Sequence, residues 1–256
     1  MVTETTSTHS SSVFKPTITI RPARLWEATA CGKIAAETYY DTGLTAYLSP
    51  YRAKYYSHYE RGFVNRSWKR MLDARNLTFV AVSSSNPSVP VGYTQLIRVG
   101  DDEGAKLQIK SRKGMFLTLA GWMFWLYSLL LPFLVGKDKS QDAERQRAFE
   151  AEIAQSDEAH WEPEGRRNRW HVQSCVVKEE WQGKGIGKKL MAEVVARAER
   201  ERVIVGLEAS EPGELLYRSV GFELLARFKK AFGEENIENA GGFMMYTPTI
   251  LRGKKV

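Results

Sequence analysis

The sequence predicts an α+β fold in which helices flank one mixed, mostly antiparallel sheet. In the first half, segments of strand type follow one another as in an antiparallel meander, whereas strands and helices alternate after residue 170. The composition, with 43% hydrophobic and 26% charged residues, is that of an ordinary globular protein and excludes a disordered or collagen-like chain.

The first half of the chain contains a tail, three strands and two helical stretches. Residues 1–16 are rich in Ser and Thr and lack the basic and apolar regions of a signal peptide, so we expect a flexible tail followed by one domain over 17–256. Residue composition and apolar spacing predict the elements. In order, they are a strand over 18–21, helices over 25–40 and 49–75, and strands over 77–82 and 91–99.

A long insertion, residues 100–168, separates the third strand from the fourth. The elements predicted after it are a strand over 170–177, a helix over 185–201, a strand over 203–209, a helix over 214–220, and strands over 222–228 and 243–246. The strands on either side of the insertion are expected to be neighbours in one sheet.

Charge and cysteine content narrow the functional classes. The chain has 37 Lys and Arg against 30 Asp and Glu, and this net charge of +7 favours an anionic partner. Its two cysteines and four histidines show no zinc-ligand spacing and no disulfide framework. We therefore expect a cytoplasmic protein without a metal.

A glycine- and lysine-rich segment lies between an apolar strand and an amphipathic helix. Its glycines let backbone N–H groups turn toward an anion, and the helix N-terminus adds about half a positive charge. The spacing fits neither a P-loop nor a dinucleotide-binding fingerprint. The residues predicted to hold a pyrophosphate are Gln182, Gly183, Lys184, Gly185, Ile186, Gly187 and Lys188.

This segment resembles the acetyl-CoA motif Gln/Arg-x-x-Gly-x-Gly/Ala of the GNAT (GCN5-related N-acetyltransferase) superfamily. Residues Leu216–Glu223 are similar to the family's Leu-Tyr-x-x-x-Gly-Phe segment, and Val91–Tyr93 and Trp170–Val177 resemble its third and fourth strands. Glu208-Ala209-Ser210 resembles the small-molecule-type fungal members. The resemblance implies the GNAT fold, with acetyl-CoA as co-substrate and the insertion between strands 3 and 4.

The resemblance also implies an activity: transfer of an acetyl group from acetyl-CoA to an amine of a small molecule, by direct attack in a ternary complex. Val176 and Val177 would contact the pantetheine arm, and Tyr217 would protonate the departing thiolate. Ser210 stands where many relatives have Asn, which puts its contact with the cofactor in doubt. The motif does not fix the length of the acyl chain, so a longer acyl-CoA stays open.

The general base has several candidates. His171 lies on the predicted fourth strand, where some arylalkylamine-type relatives carry a catalytic histidine, but a structural strand histidine fits equally well. Glu208 is a weaker candidate, and a water chain without a single base is common in the family. An amine with a pKa near ~10 needs such a base at neutral pH.

The helical region 47–70 interleaves aromatic and basic side chains. Such interleaving occurs in nucleic-acid-binding proteins, but an aromatic stripe at i, i+4 spacing more often forms a core with a solvated basic face. No nucleic acid is therefore expected. In the GNAT layout this segment borders the acceptor site, which favours a lipophilic or aromatic amine.

Within the insertion, residues 115–135 are uncharged and predominantly apolar. As one helix they would extend about 31 Å, enough for a bilayer core. Three interpretations are open: a segment that dips into a membrane or lies in its plane, a helix buried against the domain, a homodimer partner or a substrate tunnel, and a transmembrane span. The alternative to an enzyme is a membrane-associated or oligomeric CoA-binding protein without efficient turnover. The highly charged stretch after this segment, residues 139–161, is expected to be a solvated cover over the acceptor side.

Overall fold

The structure, a computed structural model of the 256-residue chain, describes residues 16–229, 232 and 241–253. Of the predicted flexible tail, residues 1–15 lie outside the described residues.

One mixed sheet organises the described part of the chain. Its strands lie in the order β1-β2-β3-β4-β5-β7-β6, and β4–β5 is the parallel pair among antiparallel neighbours. The strands are β1 (Ile18–Pro22), β2 (Asn76–Ser83), β3 (Asn86–Val99), β4 (Arg169–Val177), β5 (Ile204–Ala209), β6 (Glu223–Arg227) and β7 (Gly242–Tyr246). This arrangement confirms the predicted fold class and the predicted pairing of the two strands that flank the insertion.

Helices cover both faces of the sheet. They are α1 (Ala28–Tyr39), α2 (Gly43–Leu48), α3 (Tyr56–Leu72), α4 (Glu103–Arg112), α5 (Met115–Val135), α6 (Ala143–Trp161), α7 (Ile186–Glu201) and α8 (Glu211–Arg218). The predicted helix over 49–75 is wrong at its start, because residue 49 is not helical and residues 50–55 form turns. Pro50 disfavours helical geometry at Ser49, so α2 ends at Leu48 and a separate helix begins at Tyr56.

Alternation along the strands divides the core into two layers. On one face, α7 packs on Leu96 and Trp170. On the other face, α1 packs on Val80, Tyr93 and Val176, and α3 packs on α1. Side chains of successive strand residues point to opposite faces, so each strand contributes to both layers.

The insertion is joined firmly to the sheet at its start. The guanidinium of Arg98, buried on β3, donates to both carboxylate oxygens of Asp102 (2.6 and 2.8 Å), and Asp102 also caps α4. At the other end of the insertion, α6 ends at Trp161, which is fully buried. The expectation that residues 139–161 form only a solvated cover is therefore wrong at Trp161.

Candidate active site

The central feature of the site is a gap between β4 and β5. The two strands pair from Arg169↔Ile204 to Val172↔Leu207 and then separate, while β4 stays paired with β3 as far as Val177. A register shift in β3–β4 leaves Gln173 as an extra residue at the point of separation. Beyond it, the edge of β4 that faces β5, including Val176 and Val177, has no strand partner among the described residues.

The predicted anion-binding loop lies at the end of this gap. Gly183 and Gly185 have φ values of +69° and +74°, a conformation that favours glycine, and Gly185 is the N-cap of α7. A Cβ at either position would meet nothing within 4 Å, so the space beside the loop is open. The first N–H groups of a helix have no partner within the helix, and here they face this open space beside exposed residues.

The side chains of the loop have different roles. Gln182 Nε2 donates to the carbonyl oxygen of Val177 (2.9 Å), which ties the loop to the end of β4. Lys184 Nζ donates to the carbonyl oxygen of Glu180 (2.6 Å), whereas Lys188 is exposed. Gly187 contributes close packing, because a Cβ there would lie 2.9 Å from Leu216 Cδ2 of α8.

Tyr217 lies on α8 and closes the other side of the gap. Its side chain is only 8% exposed and packs on Phe222. Burial raises the pKa of Tyr217 well above its ordinary value, and the negative charges of a Cys175 thiolate and Glu208 would act in the same direction. The hydroxyl is therefore protonated at neutral pH. Ser210, predicted to contact the cofactor, is the exposed N-cap of α8, and its hydroxyl makes no cap hydrogen bond.

His171 forms part of a compact polar cluster where β4 and β5 are still paired. His171 Nε2 lies 2.9 Å from Glu208 Oε2, and Arg169 Nε donates to His171 Nδ1 (3.3 Å). Trp161 Nε1 donates to Glu208 Oε1 (2.8 Å). Burial alone would raise the pKa of Glu208, but these partners hold it below its ordinary value, so Glu208 is ionised at neutral pH.

A cavity of about 360 Å³ lies on the same face of the sheet as this polar cluster, between β3, β4 and helices α1–α3 and α6. Tyr59, Phe63 and Phe149 contribute aromatic surface, which agrees with the expected acceptor side. Gln173 and Ser174, the residues that follow the point where β4 and β5 separate, form its inner wall. The cavity therefore adjoins the gap.

Three residues of this site were not identified from the sequence: Trp161, Arg70 and Gln173. Arg70 lines the cavity and follows Arg66 by four residues, Phe63 by seven and Tyr59 by eleven, so its place on the aromatic face of α3 was readable from helical spacing. Trp161 and Gln173 take their roles from a tertiary contact and a strand irregularity, for which the sequence gives no local signal.

The comparisons with known proteins match part of the chain to a family of acetyltransferases. Residues 145–224 match the family model described as the acetyltransferase (GNAT) domain. Among curated proteins, no sequence matches the chain. Among the described residues, no group of three or more His, Cys, Asp or Glu side chains could hold a metal ion.

Several solved structures are similar to this chain, and one of them has a TM-score above 0.5. The crystal structure of histone acetyltransferase HPA2 and related acetyltransferase from Corynebacterium glutamicum is similar with a TM-score of 0.58 and 15% identity, covering 90% of this chain and 96% of that one. PaiA N-acetyltransferase from Thermoplasma acidophilum, in complex with coenzyme A, gives 0.47 and 13%, covering 90% and 99%. YhbS from Escherichia coli, in complex with CoA, gives 0.46 and 12%, covering 91% and 82%. The chain therefore shares the fold of the Corynebacterium glutamicum acetyltransferase structure, and its residues 145–224 match the GNAT acetyltransferase domain model.

Proposed function

We propose that the protein transfers an acetyl group from acetyl-CoA to an amine of a small molecule, by direct attack. The observation that carries this proposal is the gap between β4 and β5, with the anion-binding loop at its end and the polar cavity on its other side. The loop would hold the pyrophosphate, and the free edge at Val176 and Val177 would bind the pantetheine arm. In that arrangement the thioester would lie between Tyr217 and the cavity.

The reaction needs two proton transfers, for which the chain supplies groups. The amine nitrogen forms a bond with the carbonyl carbon while the carbon–sulfur bond breaks. Tyr217 would give its proton to the departing sulfur, because its raised pKa keeps the hydroxyl protonated until the thiolate forms. N–H groups on the open edge of β4 would stabilise the negative charge on the carbonyl oxygen. The amine gives one proton to a base, and water returns a proton to Tyr217.

His171 remains the residue that we predict to act as the general base. Its Nδ1 accepts from Arg169 and its Nε2 faces the ionised Glu208, so uptake of a proton requires that the Arg169 contact opens. Glu208 would then stabilise the imidazolium. Ser210 is proposed to contact the cofactor through its free hydroxyl, at the mouth of the gap.

Two alternatives differ from this proposal in the acyl donor or in turnover. A longer acyl-CoA would use the same loop, and a CoA-binding protein without efficient turnover would bind the cofactor but release no thiol. Both are separated from the proposal by comparing acyl-CoA affinity with thiol release over a panel of primary amines.

The first experiment is calorimetric titration of acetyl-CoA into wild type, Gly185→Val and Gly136→Val. Both glycines have a positive φ (+74° and +75°), although ψ is 9° at Gly185 and 175° at Gly136, and a Cβ at either would meet nothing within 4 Å. Each substitution therefore strains the backbone in open space, and Gly136→Val controls for that strain away from the loop. A β-branched residue is strained at such a φ and would fill the space beside the loop only at Gly185. We expect Gly185→Val to weaken binding at least about tenfold and Gly136→Val to leave it unchanged. Failure of wild type to bind acetyl-CoA would refute the proposal.

A further inference from the structure

The cavity on the acceptor side contains positive charge without a matching negative charge. Arg66 and Arg70, one helical turn apart on α3, line it, and none of its described lining residues is Asp or Glu. Arg70 Nη1 donates to the uncharged Ser174 Oγ (2.6 Å) and Gln95 Oε1 (3.3 Å). Among the described residues, its Nε and Nη2 donate to no protein atom.

The electrostatics of Arg70 differ from those of other arginines in the fold. Burial, and then the neighbouring Arg66, lower the pKa of Arg70 to about 10. The groups that act in the opposite direction are the phenols of Tyr93 and Tyr39, and burial keeps these neutral at physiological pH. By contrast, Arg98 is paired with Asp102 and Glu201. Arg70 therefore carries a mostly buried positive charge that the described structure leaves uncompensated.

A second unsatisfied group faces the same space. Gln173 Oε1 is buried, has no hydrogen-bond partner among the described residues, and belongs to a residue that lines the cavity beside the gap. Buried acceptors usually have a donor. An N–H of a bound amine would satisfy it, at the end of the cavity nearest to the predicted thioester.

We propose that the acceptor amine also carries an oxyanion, a carboxylate or a phosphate, which Arg70 and Arg66 bind. This inference rests on the proposed function in that the ligand is taken to be an amine that accepts an acetyl group. The binding of an anion by the two arginines does not depend on that function. A guanidinium presents its N–H groups as a planar fork that matches both anions, and the two free donors of Arg70 are available for it. The aromatic walls at Tyr59 and Phe63 would then cover the body of the acceptor between the anion and the amine.

The test is direct binding of matched probes, without turnover. We would titrate 3-phenylpropionate, phenyl phosphate and the neutral 3-phenylpropionamide into wild type, Arg70→Met, Arg70→Lys and Arg61→Met. Arg61 lies on the same helix but does not line the cavity, so Arg61→Met controls for net charge. We expect at least one charged probe to bind about tenfold tighter than the amide, this preference to be lost in Arg70→Met and retained in Arg61→Met, and Arg70→Lys to be intermediate.

Three results would each overturn the proposal. They are equal affinity of wild type for the charged probes and the amide, absence of binding by both charged probes, and unchanged affinity of Arg70→Met for the charged probes. Acetyl-CoA is titrated into the same variants. Wild type that binds the charged probes but not acetyl-CoA would refute the proposed function alone. Loss of acetyl-CoA binding in Arg70→Met would assign the arginine to the cofactor and overturn the acceptor site.

Helix α5 carries a second, independent inference. It has 21 residues, is long and apolar enough by composition to cross a membrane, and none of its residues is buried. Its neighbours attach it along α3: Arg112, just before α5, donates to the carbonyl oxygen of Met71 (3.4 Å), and Lys139, just after it, lies over the ring of Tyr55. Because Met71 and Tyr55 are at opposite ends of α3, α5 lies lengthwise on the domain, which does not fit a transmembrane span.

We infer that the exposed face of α5 lies in the plane of an anionic lipid surface. Trp122, Trp125 and Phe133 are 65%, 57% and 85% exposed, and they lie between basic residues at both ends of the helix, which are Lys110, Arg112, Lys113, Lys137 and Lys139. A second copy packed along α5, parallel or antiparallel, would bring these like charges together. Acidic lipid headgroups would neutralise them instead.

Sedimentation with vesicles tests this inference on the full chain. We expect binding to phosphatidylcholine–phosphatidylserine vesicles, weak binding to pure phosphatidylcholine, and loss of binding in Trp122→Asp/Leu126→Asp with acetyl-CoA affinity retained. Each basic residue near the lipid should change the partition about fivefold. Absence of vesicle binding, equal binding by the double variant, or a wild-type dimer that this variant abolishes would overturn the lipid assignment.

Discussion

Replacement of Arg70 by Met should leave the free energy of unfolding almost unchanged, whereas Arg98→Met should strongly destabilise the protein. Arg98 is buried on β3 and Arg70 is partly buried on α3, and both substitutions keep an unbranched side chain. The two differ in what the guanidinium contacts. Arg98 donates to carboxylates, and Arg70 donates to neutral oxygens.

The magnitude follows from two opposing contributions at Arg70. Lowering its pKa to about 10 corresponds to about 3 kcal/mol of unfavourable free energy for the charged form in the folded state. Two hydrogen bonds from a charged donor contribute about 1.5 kcal/mol each in the other direction. The sum is near zero, so the expected change is within about 1 kcal/mol. Arg70 is charged at neutral pH in both the folded and the unfolded protein. The unfavourable free energy of its buried charge therefore disappears only above about pH 10.

For Arg98 the same substitution leaves Asp102 without its bidentate partner and should cost about 3–5 kcal/mol. For a chain of this size, thermal unfolding should shift by less than about 4 °C for Arg70→Met and fall by about 6–20 °C for Arg98→Met. The assay is reversible thermal unfolding followed by circular dichroism. A fall for Arg70→Met as large as that for Arg98→Met would show that the fold itself uses the charge of Arg70, and the reasoning for an anion site would be wrong.

Other predictions concern the gap and its supports. Tyr217→Phe should lower kcat about 100-fold with acetyl-CoA affinity unchanged, measured by thiol release, and an unchanged kcat would remove its role as the acid. Because burial raises the pKa of Tyr217, the wild-type rate should show no alkaline fall below about pH 10. Gly206→Ala should destabilise by about 1–3 kcal/mol, since its Cβ would lie 2.6 Å from Trp161 Cη2, whereas Gly121→Ala, with nothing within 4 Å, should not destabilise. The lowered pKa of Glu208 stabilises the fold above about pH 4, and this contribution is lost as pH falls through the folded-state pKa, so Glu208→Gln should flatten the acid side of the stability curve.

The fold and the backbone geometry of the predicted anion-binding loop could be read from the sequence because their signals are local. The glycines at 183 and 185 indicate a backbone that turns toward a ligand, and the structure shows both with positive φ. Strand order across the insertion followed from the requirement that β3 and β4 meet in one sheet.

The acceptor side could be predicted only in part. Aromatic spacing predicted that α3 borders the acceptor side, but the arginines between the aromatic residues were interpreted as a solvated face. Helical spacing gives the face of α3 on which Arg70 lies, but its hydrogen bonds to Gln95 and Ser174 depend on tertiary packing, because these residues are distant in sequence. Likewise, nothing local distinguishes Trp161 from other residues at the end of a charged helix, since its burial comes from contact with Gly206 on β5.

The insertion contributes residues to the polar cluster at His171 and to the wall of the cavity. It would therefore affect which acceptor the protein selects. At its end, Trp161 holds Glu208 beside His171, and earlier on α6 Gln146 and Phe149 form part of the wall of the cavity. The loop that would bind the cofactor lies outside the insertion and has the spacing of the family motif. Under the proposed function, recognition of the acceptor would therefore depend on α3 and the insertion together, and cofactor binding would depend on neither. Substitutions at Phe149 should consequently change KM for the acceptor while acetyl-CoA affinity stays constant. A parallel loss of both affinities would show instead that α6 acts by supporting the sheet around the gap.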